Sequence, residues 1–263
     1  MIRSLPAYNR FAFAPRLYNP TLLRNVVGVL AILGIWQGIS LLYPSYLLPG
    51  PVEVAHTFLR LLLQGEIEQQ LWPTVYRTVA GYSVATVLGI GLGIAMGSNK
   101  YLLDFVRVPV TIVMAIPGLS WAFLAVIWFG LTEASPIFVI FVITLPIALV
   151  NTLKGVQQVD RRLVEMARTH RAPYWMIVRD VYLPSILPYI FSALTVSMAF
   201  AWKIAIVAEM LGSSSGLGYA MLKARDYIKT DEVFVWTLVF VFLFLIVDNG
   251  IFRTIERMIV KWQ

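Results

Sequence analysis

Apolar residues run along this chain in six long stretches, each bounded by charged or turn-forming residues. They read Val26 to Tyr43, Val75 to Met96, Val108 to Phe129, Ile137 to Leu153 and Ile186 to Ala208. A last stretch begins near Val233 and must extend past Asp248 toward Phe252 to cross. Each comes close to the ~20 residues that a helix needs to span a hydrocarbon core of about 30 Å. The pattern predicts an all-α, polytopic membrane protein with about six transmembrane helices. Residues 1–25 form an N-terminal segment, 26–252 the membrane domain and 253–263 a tail. The first stretch has no small-residue cleavage signature after it and reads as a retained helix rather than a signal peptide.

Composition supports lipid as the solvent. Hydrophobic residues make up 59% of the chain and charged residues 13%, about half the charged share of a soluble domain. The net charge of +7 would suggest nucleic acid on a soluble protein. Here its distribution points elsewhere. If the N-terminus is cytoplasmic, 15 Lys and Arg fall on inside segments and 4 on outside segments. Basic residues gather on cytoplasmic loops, so both termini are expected inside, in the inner membrane. The chain has no cysteine and two histidines, His56 and His170, far apart. That excludes a disulfide framework, a thiol nucleophile and a cysteine metal site, and it makes a histidine metal site a poor fit.

Two outside loops stand out. One carries Leu48-Pro49-Gly50-Pro51 and then an amphipathic stretch, Val52 to Leu63, expected as a short surface helix. The other begins with Gly212-Ser213-Ser214-Ser215-Gly216-Leu217-Gly218, expected as a flexible turn. The inside loop from Lys154 to Pro184 is the longest and holds six basic residues. Val164, Ala167 and Ala172 give it a small apolar face, and Pro173 divides it into two short helices. A solvated helical hairpin with no core of its own should dock on a partner.

Several polar or helix-bending residues fall within the spans. Gly89, Gly93 and Gly97 recur every four residues, with Gly91 between them. Such spacing lets helix backbones approach closely. Pro117 and Pro146 remove backbone donors inside spans. They line a pathway, or they merely kink the helices. Lys203 is the sharpest signal, because an ionisable residue at membrane depth is costly and functional by default. It attracts an anion, or it pairs with a carboxylate such as Glu209, or it snorkels. Arg77, near the outer end of its span, leaves the same choice. Ser120, Trp121, Trp128, Trp202 and Glu209 are further candidates for the same route.

A resemblance then enters. Glu165-Met166-Ala167, followed at the expected distance by Leu183-Pro184, resembles the coupling loop of ABC-importer permeases. Two positions depart from that pattern: Met166 replaces an alanine and Arg171 a glycine. Further motifs resemble the nitrate/sulfonate/bicarbonate (taurine) permeases. They are Leu48 to Pro51, Thr78 to Tyr82, Ile116 to Trp121, Trp128-Phe129-Gly130, Ala201-Trp202, Val207 to Met210, Gly216-Leu217-Gly218 and Asp248 to Glu256. The resemblance implies a type I importer fold, a second copy of this subunit, two cytoplasmic ATPase subunits and an extracytoplasmic binding protein. ATP and Mg would bind to the ATPase, and this chain would hold no cofactor. The coupling residues it implies are Glu165, Met166, Ala167, Arg168, Thr169, His170, Arg171, Ala172, Pro173, Leu183 and Pro184. No G-x-x-x-x-G-K-[ST] pattern occurs in the chain, so it should not hydrolyse ATP itself.

The resulting expectation is a permease that moves a small oxyanion, a sulfonate such as taurine ahead of nitrate or bicarbonate. An ion-driven transporter would show inverted repeats and mid-membrane carboxylates, whereas here the carboxylates lie mostly at span ends. A membrane enzyme would need a polar catalytic cluster, and no His, Cys or paired-acid constellation is visible.

Overall fold

A computed structural model of the chain describes residues 20–247 and residue 250, and those residues form helices and short connections without a strand. In chain order they are α1 (Pro20–Ser40), α2 (Pro51–Leu63), α3 (Glu66–Ser98), α4 (Lys100–Ala115), α5 (Gly118–Phe129) and α6 (Ala134–Gln157). Then come α7 (Arg161–Thr169), α8 (Tyr174–Ile177), a π turn over Val178–Tyr182, α9 (Leu183–Gly212), α10 (Leu217–Asp226) and α11 (Thr230–Val247). Among the described residues, α3, α6, α11 and the continuous run Tyr174–Gly212 are each long and apolar enough to cross a membrane. The apolar part of α1 runs Val27–Ser40. The expected extension of the last span past Asp248, the tail and residues 1–19 lie outside the described residues.

The third expected span, 108–129, is not one helix. It is the end of α4 followed by α5, with axes bent by 95°. Pro117 is the cause. It has no N–H to continue α4, and it disfavours helical geometry at the residue before it. Ile116 is accordingly extended (φ −78°, ψ 125°) and Pro117 caps α5. Pro146, by contrast, stays buried inside an unbroken α6.

The core of the bundle is α3, α6 and α9. Small residues let α3 and α6 lie almost backbone to backbone. A Cβ at Gly93 would fall 2.7 Å from the Leu149 carbonyl oxygen, and one at Gly89 would fall 2.8 Å from that of Leu145. Gly97 is covered by Val156 in the same way, whereas Gly91 faces open space. Buried threonines on these helices close their hydroxyls on their own backbone. Thr78 donates to Thr74 O (2.7 Å) and Thr152 to Ala148 O (2.8 Å). No loose polar atom therefore results from placing them between helices in lipid.

α2 is the surface helix that the amphipathic stretch predicts. Pro51 opens it, Gly65 at φ +73° closes it, and Val54, Thr57 and Leu61 are buried. Thr57 donates to Asp231 Oδ2 (2.7 Å) at the start of α11. Trp36 of α1 stacks on Phe234 of α11 with ring centroids 5.5 Å apart, and its Nε1–H donates to Pro49 O (3.1 Å).

Candidate coupling elbow and translocation site

The elbow between α6 and α9 is built around α7. Asp160 caps α7 by accepting from Arg162 N (2.8 Å). Val164 is buried, and Ala167 and Ala172 are half-buried, against Val156, Val159, Ile177 and Ile186. The elbow thus packs on the ends of α6 and α9 through a small shared cluster. Alternation along α7 explains this: Val164 and Ala167 share one face, while Leu163, Glu165, Met166, Arg168, Thr169 and His170 face outward. A mixed apolar, acidic and basic surface is left exposed at one end of the bundle.

Arg171 takes the conformation for which glycine is normally kept. Its φ is +55°. Arg171 N donates to Arg168 O (2.9 Å) and Ala172 N to Ala167 O (3.0 Å). Those two bonds are the Schellman closure of a helix end. The departure from glycine does not reshape the turn; it strains it, by about 1 kcal/mol for one L-residue in the left-handed region. Arg171→Gly is expected to relieve that strain. Amide exchange of Ala172 in detergent-solubilised protein should slow roughly fivefold; equal or faster exchange would contradict the assignment.

After Pro173 the chain is helical again and passes through the π turn into α9. Pro184 supplies the reason. Its ring would clash with the carbonyl of Asp180 in a regular helix, and a π turn widens the backbone there. Ser185 Oγ donates to Val181 O (2.6 Å) in the same turn. Leu183 remains exposed beside it.

At the far end of α9 lies an ionic clamp. Arg77 of α3 is 1% exposed and Glu209 of α9 is 0% exposed. All five guanidinium N–H groups of Arg77 are used. Nε donates to Glu133 Oε2 (2.5 Å), Nη1 to Glu209 Oε1 (2.9 Å) and Ser215 O (2.7 Å), and Nη2 to Glu133 Oε1 (2.6 Å) and Ser215 Oγ (2.7 Å). Glu209 Oε2 accepts from Thr74 Oγ1 (2.8 Å) and from Gly218 N (3.1 Å). The loop expected as a flexible turn is instead held down over this pair. Gly216 has φ +103°, and a Cβ there would strike the Glu209 carboxylate. Glu133, in the turn before α6, has a side chain 59% exposed, and the hydrogen bonds from Arg77 hold its carboxyl below the ordinary value.

Arg77 therefore does not snorkel, and in this state it has no N–H left for a passing anion. Thr74, Glu133 and Ser215 complete the clamp and were not singled out from the sequence. Their only signal was proximity to turns or to Arg77, since the contacts join residues 56 to 138 positions apart.

Lys203 behaves differently. It is exposed on α9, its Nζ lies 5.8 Å from the Phe200 ring centroid, and it makes no ion pair with the described residues. The α4–α5 break packs on the next residue of α9, because a Cβ at Gly118 would fall 2.9 Å from Ile204 Cδ1. Pro117, Ser120 and Trp121 sit at that break, and Trp121 Nε1 donates to Val113 O (3.4 Å). Trp128 packs edge-on against Phe138 at the other end of α5. Trp202 is turned inward and buried, its Nε1 without a partner among the described residues.

The described residues thus form a closely packed helical bundle with an exposed elbow at one end of α9 and an ionic clamp toward the other. The chain belongs to the family of binding-protein-dependent transport system inner membrane components, whose family model matches residues 85–261. It is 31% identical to the putative aliphatic sulfonates transport permease protein SsuC of Bacillus subtilis, over 100% of this chain and 92% of that one. It is 27% identical to the nitrate import permease protein NrtB of Synechocystis sp., over 83% of this chain and 82% of that one. The fold is also that of an inward-facing MetNI methionine ABC transporter structure. That match has a TM-score of 0.60 at 20% identity and covers 74% of this chain and 94% of that one. The chain is thus the permease subunit of an ABC importer and not itself an enzyme; the ATPase is a separate subunit.

Proposed function

We propose that two copies of this chain form the path of an ATP-driven importer for a small oxyanion, a sulfonate in first place. Lys203 carries the reading. It lies in the outer part of the span expected over Ile186 to Ala208, about 8 Å short of the outer end at 1.5 Å per residue. An ammonium without an ion-pair partner facing lipid there must reach outward to water or carry a desolvation cost. A wet cavity beside a second copy resolves that cost, and an anion entering the cavity meets the charge. The relatives named for aliphatic sulfonates and for nitrate support the ligand class and its order.

In this reading both termini are cytoplasmic, and the elbow from Glu165 to Pro173, with Leu183 and Pro184, rests on one of two ATPase subunits that bind ATP and Mg. Substrate arrives from an extracytoplasmic binding protein. Closure of the ATPases moves the elbows, and because each elbow shares a core with α6 and α9, the spans follow. The clamp at Arg77 keeps the outer ends of α3, α6 and α9 moving together.

The test is ATPase activity of the reconstituted complex with loaded binding protein, comparing an alkanesulfonate, taurine, nitrate and bicarbonate. Stimulation by a cationic or neutral solute and by none of these anions would refute the proposal. Lys203→Met is expected to lower anion uptake at least tenfold while leaving the yield of assembled complex unchanged. Uptake equal to the parent would remove Lys203 from the pathway.

A further inference from the structure

Only two non-glycine residues among those described hold a positive φ, and Arg171 of the elbow is one. The other is Ile228, at φ +57°, just past α10. Its turn is closed by Ile228 N to Arg225 O (3.0 Å) and Lys229 N to Ala224 O (2.9 Å). Glycine is the residue this position ordinarily takes, and a β-branched side chain there is a conformational outlier. The fold gains little burial from it. Ile228 is 70% exposed and Tyr227 beside it is 69% exposed. Strain held at an exposed apolar residue points to a contact made outside the chain. An aromatic beside an aliphatic side chain is the kind of anchor that carries protein interfaces.

A cavity of about 310 Å³ opens next to this knob, with Tyr227 on its edge. Its charged lining is Arg60, Lys223 and Lys229 against Glu66 and Glu232. Arg60 and Lys229 share Glu232, at 3.1 and 3.0 Å. Lys223 has no partner among the described residues, so the cavity holds one cation in excess and one free to meet an incoming carboxylate. Gln70 lines the same cavity and accepts from Gly216 N (2.8 Å), so an occupant touches the loop that Arg77 clamps.

We infer that Tyr227, Ile228 and Lys223 form a docking patch for the extracytoplasmic binding protein, which presents an apolar socket flanked by a carboxylate. The inference rests on the importer reading above. The patch lies at the opposite end of α9 from the elbow, since 30 residues of helix cover about 45 Å. Charge of both signs rings the knob, with Arg225 and Asp226 paired at 2.7 Å. That setting suits a protein surface rather than an acyl layer.

The test uses the complete complex in lipid nanodiscs, titrated with its purified, substrate-loaded binding protein. The readout is the concentration that half-saturates ATPase stimulation. Tyr227→Ala/Ile228→Gly is expected to raise that concentration at least tenfold, and Lys223→Glu to raise it by an amount that shrinks with added salt. Ile228→Gly suits the backbone, so a folding defect does not cloud the result. Val84→Ala, at an exposed position of α3 away from the patch, should match the parent. An unchanged half-saturation in both patch variants overturns the docking patch alone. The same result with less chain recovered in the membrane assigns the knob to lipid and also overturns it. No stimulation of the parent complex defeats the importer reading itself.

Discussion

Arg77→Met is expected to destabilise the folded subunit by about 3–5 kcal/mol, the scale for breaking one side of a buried ion pair. The loss follows from what stays behind. Glu209 is fully buried and would keep only Thr74 and Gly218 as partners, with no cation to offset its charge. Ser215 would lose both bonds from the guanidinium, while Gly216 and Gly218 would stay tied to Gln70 and Glu209. Removing both charges should be milder: Arg77→Met/Glu209→Gln is expected to melt above Arg77→Met in detergent, because no uncompensated carboxylate remains. Melting of the double variant at or below the single one would show that the clamp is not governed by charge balance.

Acid should loosen the same clamp from its exposed side. The folded Glu133 carboxyl titrates below its ordinary 4.5, so its contribution is fully present above that value. It is lost as pH falls through the lower, folded value. Arg77→Met should lack this acid-dependent component, which a comparison of melting temperatures across that window would reveal.

Glu165→Ala and Ala167→Trp are expected to abolish uptake, at least a tenfold fall, without preventing membrane insertion. The two act differently. Glu165 is exposed and its carboxylate has no partner among the described residues, so its removal alters only what the elbow offers to the ATPase. Ala167 is half-buried against the core shared by α6, α7 and α9. An indole there forces α7 away from its seat, since overpacking such a site displaces backbone. Uptake and ATPase activity measured on the same reconstituted sample separate the cases. Ala167→Trp should leave hydrolysis running without transport, and Glu165→Ala should weaken ATPase association. Normal uptake in either variant would count against the elbow as the coupling element.

Much of the architecture was legible because lipid imposes a simple rule. Backbone polar groups must be satisfied within each segment, so apolar runs of the right length become helices. The glycine spacing of α3 and the division of the elbow at Pro173 could be read for similar reasons, since both depend on neighbours a few residues away. The α4–α5 bend was half legible. Pro117 marks where a helix must stop, but the 95° turn follows from how α5 packs on α6 and α9. The fate of the charges was the least legible. Arg77 and Lys203 look alike as lone cations in apolar runs, and nothing near either in sequence shows which one a buried carboxylate will meet.

From its order of residues alone, this chain is committed to a membrane bundle, to the place of its elbow and to the absence of a nucleotide-binding loop. Those properties rest on hydrophobicity and on short-range backbone chemistry. The tertiary structure alone decided that Arg77, not Lys203, takes Glu209, and that Lys203 remains bare. That choice depends on bringing Glu133, Ser215 and Glu209 around one guanidinium from three separate segments. Such convergence has no local signature, because the energy of a buried charge is set by all the groups that surround it.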